Sequence, residues 1–254
     1  MTTRLSVALI THDEELNLPD CLASVAWADE IVIVDNGSSD RTVAIARERG
    51  ARVIETPDWP GFGVQKNRAL DACTGDWILV LDADERVSPA LRAEIEAVLR
   101  APAHDVYRMP RSSSYCGRTL RHGGWWPDYV TRLLRRGAAR HNTARVHERI
   151  EFAGSIGTLR EPLLHISFRT LDQVIGKMNR YSTESARALH SAGRRPGLGT
   201  AIVHGLAAFL RTYVLRLGFL DGRHGFLLAV SNAEGSYYRY VKAMLLADGA
   251  ARDA

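Results

Sequence analysis

Cysteine is scarce in this chain. Cys21, Cys73 and Cys116 are its only three, an odd and scattered set with no CxxC pair among them. Such a set argues against a disulfide-stapled secreted scaffold and against a structural zinc site; it suits reduced thiols in the cytosol. No GxxxxGKS/T segment occurs, which disfavours P-loop phosphoryl transfer, and no GxGxxG follows the first predicted strand, which disfavours a dinucleotide fold. No helix-turn-helix, zinc-finger or RNP motif accompanies the basic residues, which argues against a nucleic-acid-binding module. At the N-terminus the apolar LSVALI run is too short for a signal peptide and lacks a small-residue cleavage site. The longest apolar stretch, Leu198 to Leu220, is broken by His204, Arg211 and Arg216, so a simple transmembrane helix is disfavoured.

What is present describes a globular protein. The 254 residues are 46% hydrophobic and 24% charged, enough to build one large domain, or one domain with an appendage, without a staple. Charge is unevenly placed. Residues 1–100 hold 10 basic and 18 acidic side chains; residues 101–254 hold 23 and 11. A basic second part suits an anionic partner: phosphates, a membrane surface or nucleic acid.

Residues 1–100 alternate short apolar runs with amphipathic stretches. Strands are predicted at Leu5–Ile10, Glu30–Val34, Arg52–Glu55 and Trp77–Leu81. Helices are predicted around Leu18–Val25, over Thr42–Arg49 with Gly50 just past its end, over Val64–Ala72, and from Pro89 behind an N-cap at Ser88. Fully apolar strands alternating with helices indicate an α/β fold with a mainly parallel sheet, whose ligands bind beyond the carboxyl ends of the strands. Acidic residues stand at those ends: Asp13 and Glu14 after the first strand, Asp35 at the second, Asp82 and Asp84 at the fourth. Asp40 reads as a helix start. If the fourth strand stays extended, Asp82 and Asp84 point the same way and suit a hard divalent cation on a diphosphate.

The order THDEE, IVIVDNGSSDRT, GFGVQKNRALDACTGDWILVLDADE resembles the nucleotide-sugar half of family 2 inverting glycosyltransferases of the GT-A fold, over about residues 4–86. GGWWPDYVTRLLRRG, ARVHERI and GFLDGRHGF resemble the lipopolysaccharide core glucosyltransferases within it. The resemblance implies a Rossmann-like GT-A domain over 1–168, its donor half about 1–100 and acceptor half about 101–168, and a helical, membrane-associating region over 169–254. It implies donor contacts at Thr11, Asp13, Glu14, Asp35, Lys66, Asn67 and Asp82, and a metal (Mg²⁺ or Mn²⁺) at Asp82 and Asp84. It implies a general base at Glu148, with Asp128 as its competitor. Trp125, Trp126, Asp128, Arg132 and His147 are candidate acceptor or diphosphate contacts. Arg68, Arg135 and Arg136 are further basic candidates, each with a solvated surface role as the alternative. The expected reaction moves one sugar from a UDP-hexose type donor to a saccharide-lipid acceptor at the inner face of the cytoplasmic membrane. No QxxRW element points to processive polymer synthesis. A polyprenyl-phosphate sugar transferase is the alternative enzyme, and a non-catalytic basic nucleic-acid-binding module is the non-enzyme alternative.

After residue 168 the pattern turns helical. Leu171, Val174, Ile175, Met178 and Tyr181 give one stripe, Ile202 to Leu217 a second, and Phe226 to Leu246 a third, with GFLDGRHG read as a turn. An apolar helical pair edged by Arg and Tyr suits a bilayer interface, a plain helical cap being the other reading.

Overall fold

A computed structural model describes residues 3–142 and 149–249. The contacts divide the chain into two compact units: residues 1–111 with 128–165, and residues 112–127 with 166–254.

The first unit begins with four strands, β1 (Leu5–Thr11), β2 (Glu30–Asp35), β3 (Arg52–Glu55) and β4 (Trp77–Asp82), each pairing in parallel in the order β3-β2-β1-β4. Between them run α1 (Leu18–Ser24), α2 (Thr42–Glu48) and α3 (Phe62–Ala72). The strands are apolar on both faces because both faces are covered. Leu5, Val7, Leu9, Ile33, Leu79 and Leu81 are buried in one core; Ala8, Val32, Val34, Ile78 and Val80 are buried in the other. Gly50 takes φ +76° just past α2, the left-handed position a helix end needs and glycine adopts without strain. Ser88 caps α4 (Pro89–Arg100), its Oγ accepting from the Leu91 amide at 3.1 Å.

The sheet then changes character. Beyond β4 lie β8 (Asp128–Arg135), β6 (Val106–Tyr115), β12 (Leu163–Phe168) and β5 (Glu85–Val87), in that order. The β4–β8, β8–β6 and β12–β5 pairings are antiparallel. The fold is therefore a mixed α/β sheet, in which the parallel pairing of the first four strands gives way to mainly antiparallel pairing. A small separate ladder joins β9 (Ala139–His141) to β10 (Ile150–Phe152), and β11 (Ile156–Thr158) adds to β6.

The second unit is helical: α5 (Leu171–Ser191), α6 (Leu198–Leu210) and α7 (Gly222–Ala247). A π-turn, Arg211–Leu215, follows α6, and a 3₁₀ turn, Gly218–Asp221, precedes α7. The predicted GFLDGRHG turn is thus shorter than expected, since α7 already starts at Gly222. α6 lies against α7 through Gly205, where a Cβ would sit 3.2 Å from that of Tyr237. Residues 112–127 join these helices because Tyr115 and Leu120 share a buried cluster with Val174 and Leu228. The contacts thus divide the chain differently from a single boundary at 168. One helical stretch among the described residues, Leu198–Leu215, is long and apolar enough to cross a membrane by length and composition. Its mean hydropathy is 1.4 and 17% of it is buried within the protein.

Candidate active site

The parallel register delivers the acidic residues to one edge. Thr11 and Asp35 are partners at the carboxyl ends of β1 and β2, and Ile10 faces Asp82 at the end of β4. Asp35 is fully buried. Its carboxylate accepts from Thr11 Oγ1 at 2.7 Å, the Ser38 amide at 2.8 Å and Ser38 Oγ at 2.6 Å. Asp13 takes φ 53° and accepts from the Ser39 amide at 2.7 Å, which holds its carboxyl below the ordinary value. Asp40 opens the next helix: its carboxylate accepts from the Thr42 amide at 2.9 Å.

Asp82 sits in a cage of charge. Lys66 Nζ lies 3.2 Å from Oδ1, and an Arg132 guanidinium nitrogen donates to Oδ2. The same nitrogen lies 2.6 Å from Glu85 Oε1. Glu85 is completely buried, and Lys66 and Arg132 are nearly so. Burial alone would raise the Asp82 carboxyl, but Arg132 and Lys66 win and hold it far below the carboxylate range. Burial dominates at Glu85 and raises its carboxyl, despite Arg132. Arg111 extends the set, 3.6 Å from Glu85 and 2.6 Å from Asp128.

β4 ends at Asp82, so the extended alternation expected for the DAD segment is absent. Ala83 and Asp84 form a turn before β5. Asp84 instead lies 3.2 Å from His165 Nε2, on the strand that pairs with β5. Glu14 is close by: burial raises its carboxyl, and Asp84 and Asp82 raise it further. Among the described residues no three His, Cys, Asp or Glu side chains are arranged to hold a metal by themselves. The oxygen donors that Asp82 and Asp84 place at the end of β4 and in the turn after it nevertheless fit the kind of site Mg²⁺ uses, in which one or two carboxylates suffice and substrate phosphates complete the shell.

Other expected residues are placed differently. Asn67 clamps β9 rather than facing an open cleft, donating to the His141 carbonyl at 2.7 Å and accepting from the His141 amide at 2.9 Å. Asp128 is engaged by Arg111. Arg68 makes a two-pronged pair with Asp58, and Arg135 pairs with Asp105. Trp125 and Trp126 belong to the second unit, where Trp125 packs edge-on against Tyr115, ring centroids 5.7 Å apart. Glu148 and His147 lie outside the described residues.

Four participants escape the sequence reading: Glu85, Arg111, His141 and His165. Glu85 had a signal, since it follows the DAD segment directly. His141 and His165 stand alone in short strands, where nothing in spacing marks them. The His141 ring is buried with neither nitrogen hydrogen-bonded among the described residues. Burial, with Lys66 and Arg132 nearby, lowers it to about 4.

The chain matches a model of glycosyl transferase family 2 over residues 6–165. It is 35% identical over 242 residues to the lipopolysaccharide core biosynthesis glycosyltransferase LpsC of Rhizobium meliloti, spanning 90% of this chain and 87% of that protein. It is 29% identical over 258 residues to an uncharacterized glycosyltransferase of Rickettsia bellii, spanning 95% and 86%. Among solved structures it is similar to S. aureus TarS 1–349 in complex with UDP-GlcNAc, with a TM-score of 0.51 and 14% identity over 97% of this chain and 92% of that one. At that identity the likeness is one of fold.

Proposed function

The chain belongs to glycosyl transferase family 2 and is a glycosyltransferase; from that premise we propose that it moves one hexose, with inversion, from a UDP-sugar to a saccharide-lipid acceptor such as lipopolysaccharide core. The observation that carries this reading is the convergence of Asp35, Asp82, Lys66 and Arg132 on one sheet edge. The buried Asp35, prefixed by Thr11 and Ser38, suits the hydroxyls or ring N–H of a nucleoside. Lys66 and Arg132 supply fixed positive charge where a diphosphate would lie, at no cost of reorganisation during reaction. The TarS complex with UDP-GlcNAc supports a uridine donor, and the relative named for lipopolysaccharide core biosynthesis supports the acceptor class.

Asp82 and Asp84, with Glu14 beside them, are the residues that would hold Mg²⁺ or Mn²⁺, which when bound neutralises the departing diphosphate. Glu148 is proposed as general base. It takes the proton from the acceptor hydroxyl as that oxygen attacks the anomeric carbon opposite the leaving diphosphate. Asp128, held by Arg111, is less suited to the task. The enzyme is proposed to work at the inner face of the cytoplasmic membrane, peripherally, through its helical unit.

Calorimetry of UDP and UDP-sugars, with Mn²⁺ and then with EDTA, tests the donor site. Binding that disappears with EDTA and in Asp84→Ala is the expected result; no binding of any nucleotide sinks the reading. Glu148→Gln keeps the shape and removes the base, so UDP affinity is expected to hold while turnover falls by about 10²–10⁴-fold. A fully active Glu148→Gln moves the base elsewhere.

A further inference from the structure

The second unit holds a cavity of about 580 Å³ among α5, α6 and α7, large enough for a lipid headgroup or a sugar phosphate. Lys177, Arg211, Arg216 and Arg239 line it, and no Asp or Glu does so among the described residues. The three arginines form no ion pair with any described carboxylate. Arg239 donates a hydrogen bond to Tyr240 at 3.0 Å and stacks over that ring, 4.6 Å from its centroid, while its Nε is buried without a partner among the described residues. Arg211 and Arg216 are exposed and Arg239 is half-buried, so their positive field opens to solvent at the mouth of the cavity, where it favours an anion.

The remaining wall mixes aromatic and apolar side chains with small hydroxyls and one amide, among them Ser182, Ser231 and Asn232. Tyr115, Trp125 and Phe168 pack edge-on or tilted against one another, with centroids 5.7–6.4 Å apart. The cavity is built rather than incidental. The π-turn carries Arg211 and Thr212 to it, and such turns gather at functional places. Arg216 is fixed from two sides: its carbonyl accepts from the Gly123 amide at 2.8 Å, and a Cβ on Gly124 would stand 2.5 Å from its guanidinium. The next residue, Leu217, is held at φ +57°, a strained region for a bulky side chain.

The same helical stretch has a second face. Val203, Leu206, Leu210 and Leu215 are 64%, 61%, 54% and 76% exposed, while Ala208, Arg211 and Thr212 turn to the cavity. A helix that shows hydrocarbon outward and borders cations inward matches an amphiphile whose anionic head is separated from its chains. We propose that this cavity binds the phosphate group of a membrane lipid, with the guanidinium groups of Arg216 and Arg239 as its principal donors. This goes beyond the transfer reaction, concerns the second unit alone and would hold whatever the donor.

The test is sedimentation of the full chain with phosphatidylcholine vesicles carrying or lacking phosphatidic acid, beside a thermal-shift series with inorganic phosphate. Phosphatidic acid is expected to bring the protein down. Arg216→Gln with Arg239→Gln is expected to weaken that binding about tenfold or more, each arginine losing charged hydrogen bonds. Arg187→Gln with Arg194→Gln removes the same charge from exposed positions outside the cavity. Equal weakening in both pairs means diffuse surface attraction and overturns the proposal. Ser185→Phe fills the cavity while leaving every charge; a folded Ser185→Phe that binds as the parent does also overturns it, even if the arginine pair fails to fold. Stabilisation by inorganic phosphate with no preference for phosphatidic acid overturns the lipid assignment. UDP binding is measured on the same preparations. Its absence beside intact vesicle binding counts against the UDP-sugar donor proposed above and not against this inference.

Discussion

The two units treat charge in opposite ways. In the first, burial and pairing go together: Asp82 and Glu85 share Arg132, and Lys66 closes the set. In the second, arginines line a cavity to which no carboxylate contributes among the described residues, and large apolar side chains stand in the open. A paired cluster fixes its own geometry before any ligand arrives, as a site for precise chemistry must. An unpaired one leaves its electrostatic and apolar surface to be matched from outside. The contrast separates a preorganised reaction site from a docking unit, and it can be attacked from either side.

The strongest blow to it falls on Arg132. Arg132→Leu leaves Asp82 and Glu85 facing each other with only Lys66 and Arg111 in reach, and Glu85 is wholly buried. Removing one member of a buried ion cluster costs about 3–5 kcal/mol. Urea unfolding should show that loss. A change below about 1 kcal/mol would mean that the cluster is hydrated and that the contrast between the units is overstated.

Acid sharpens the comparison. The His141 ring is lowered to about 4 from 6.5, because it is buried and faces Lys66 and Arg132. The unfolded chain therefore binds this proton more readily than the folded one. Its contribution is fully present above pH 6.5 and is lost as pH falls toward 4, about 3 kcal/mol in all. His141→Leu should remove that part of the slope between pH 6.5 and 4 in unfolding titrations. An unchanged slope would mean that the histidine is solvated.

The donor half was legible because its signals are local. Apolar runs gave β1 to β4 nearly to the residue, Ser88 and Pro89 gave the start of α4, and Gly50 gave the end of α2. The placement of Asp35 and Asp82 on one edge followed from strand order alone. What stayed hidden depends on long-range pairing. Arg132 reads in sequence as a candidate acceptor or diphosphate contact, but nothing in its strand says that it lies between Asp82 and Glu85, some fifty residues earlier in the chain. The DAD alternation failed because β4 stops at Asp82, two residues before the second acid, a decision made by β5 pairing with β12. Trp125 reads equally as a sugar platform or as core in sequence; its rings meet Tyr115 and Phe168, from separate elements, and no period could announce that.

The smallest effect on stability tests the other half of the contrast. Val203 and Leu206 are largely exposed on α6, so Val203→Glu with Leu206→Glu removes little packing and should shift unfolding by no more than about 0.5 kcal/mol. The same pair puts two carboxylates on the apolar face that the helical unit presents. If that face meets a bilayer, binding to phosphatidic acid vesicles should fall sharply while UDP binding stays as in the parent. A large loss of stability with unchanged vesicle binding would say the reverse: that these side chains cover protein, and that the exposed face belongs to an association of chains rather than to lipid. Such an outcome would remove the membrane from the functional reading while leaving the chemistry of the first unit untouched. The two regions can therefore be tested, and can fail, independently.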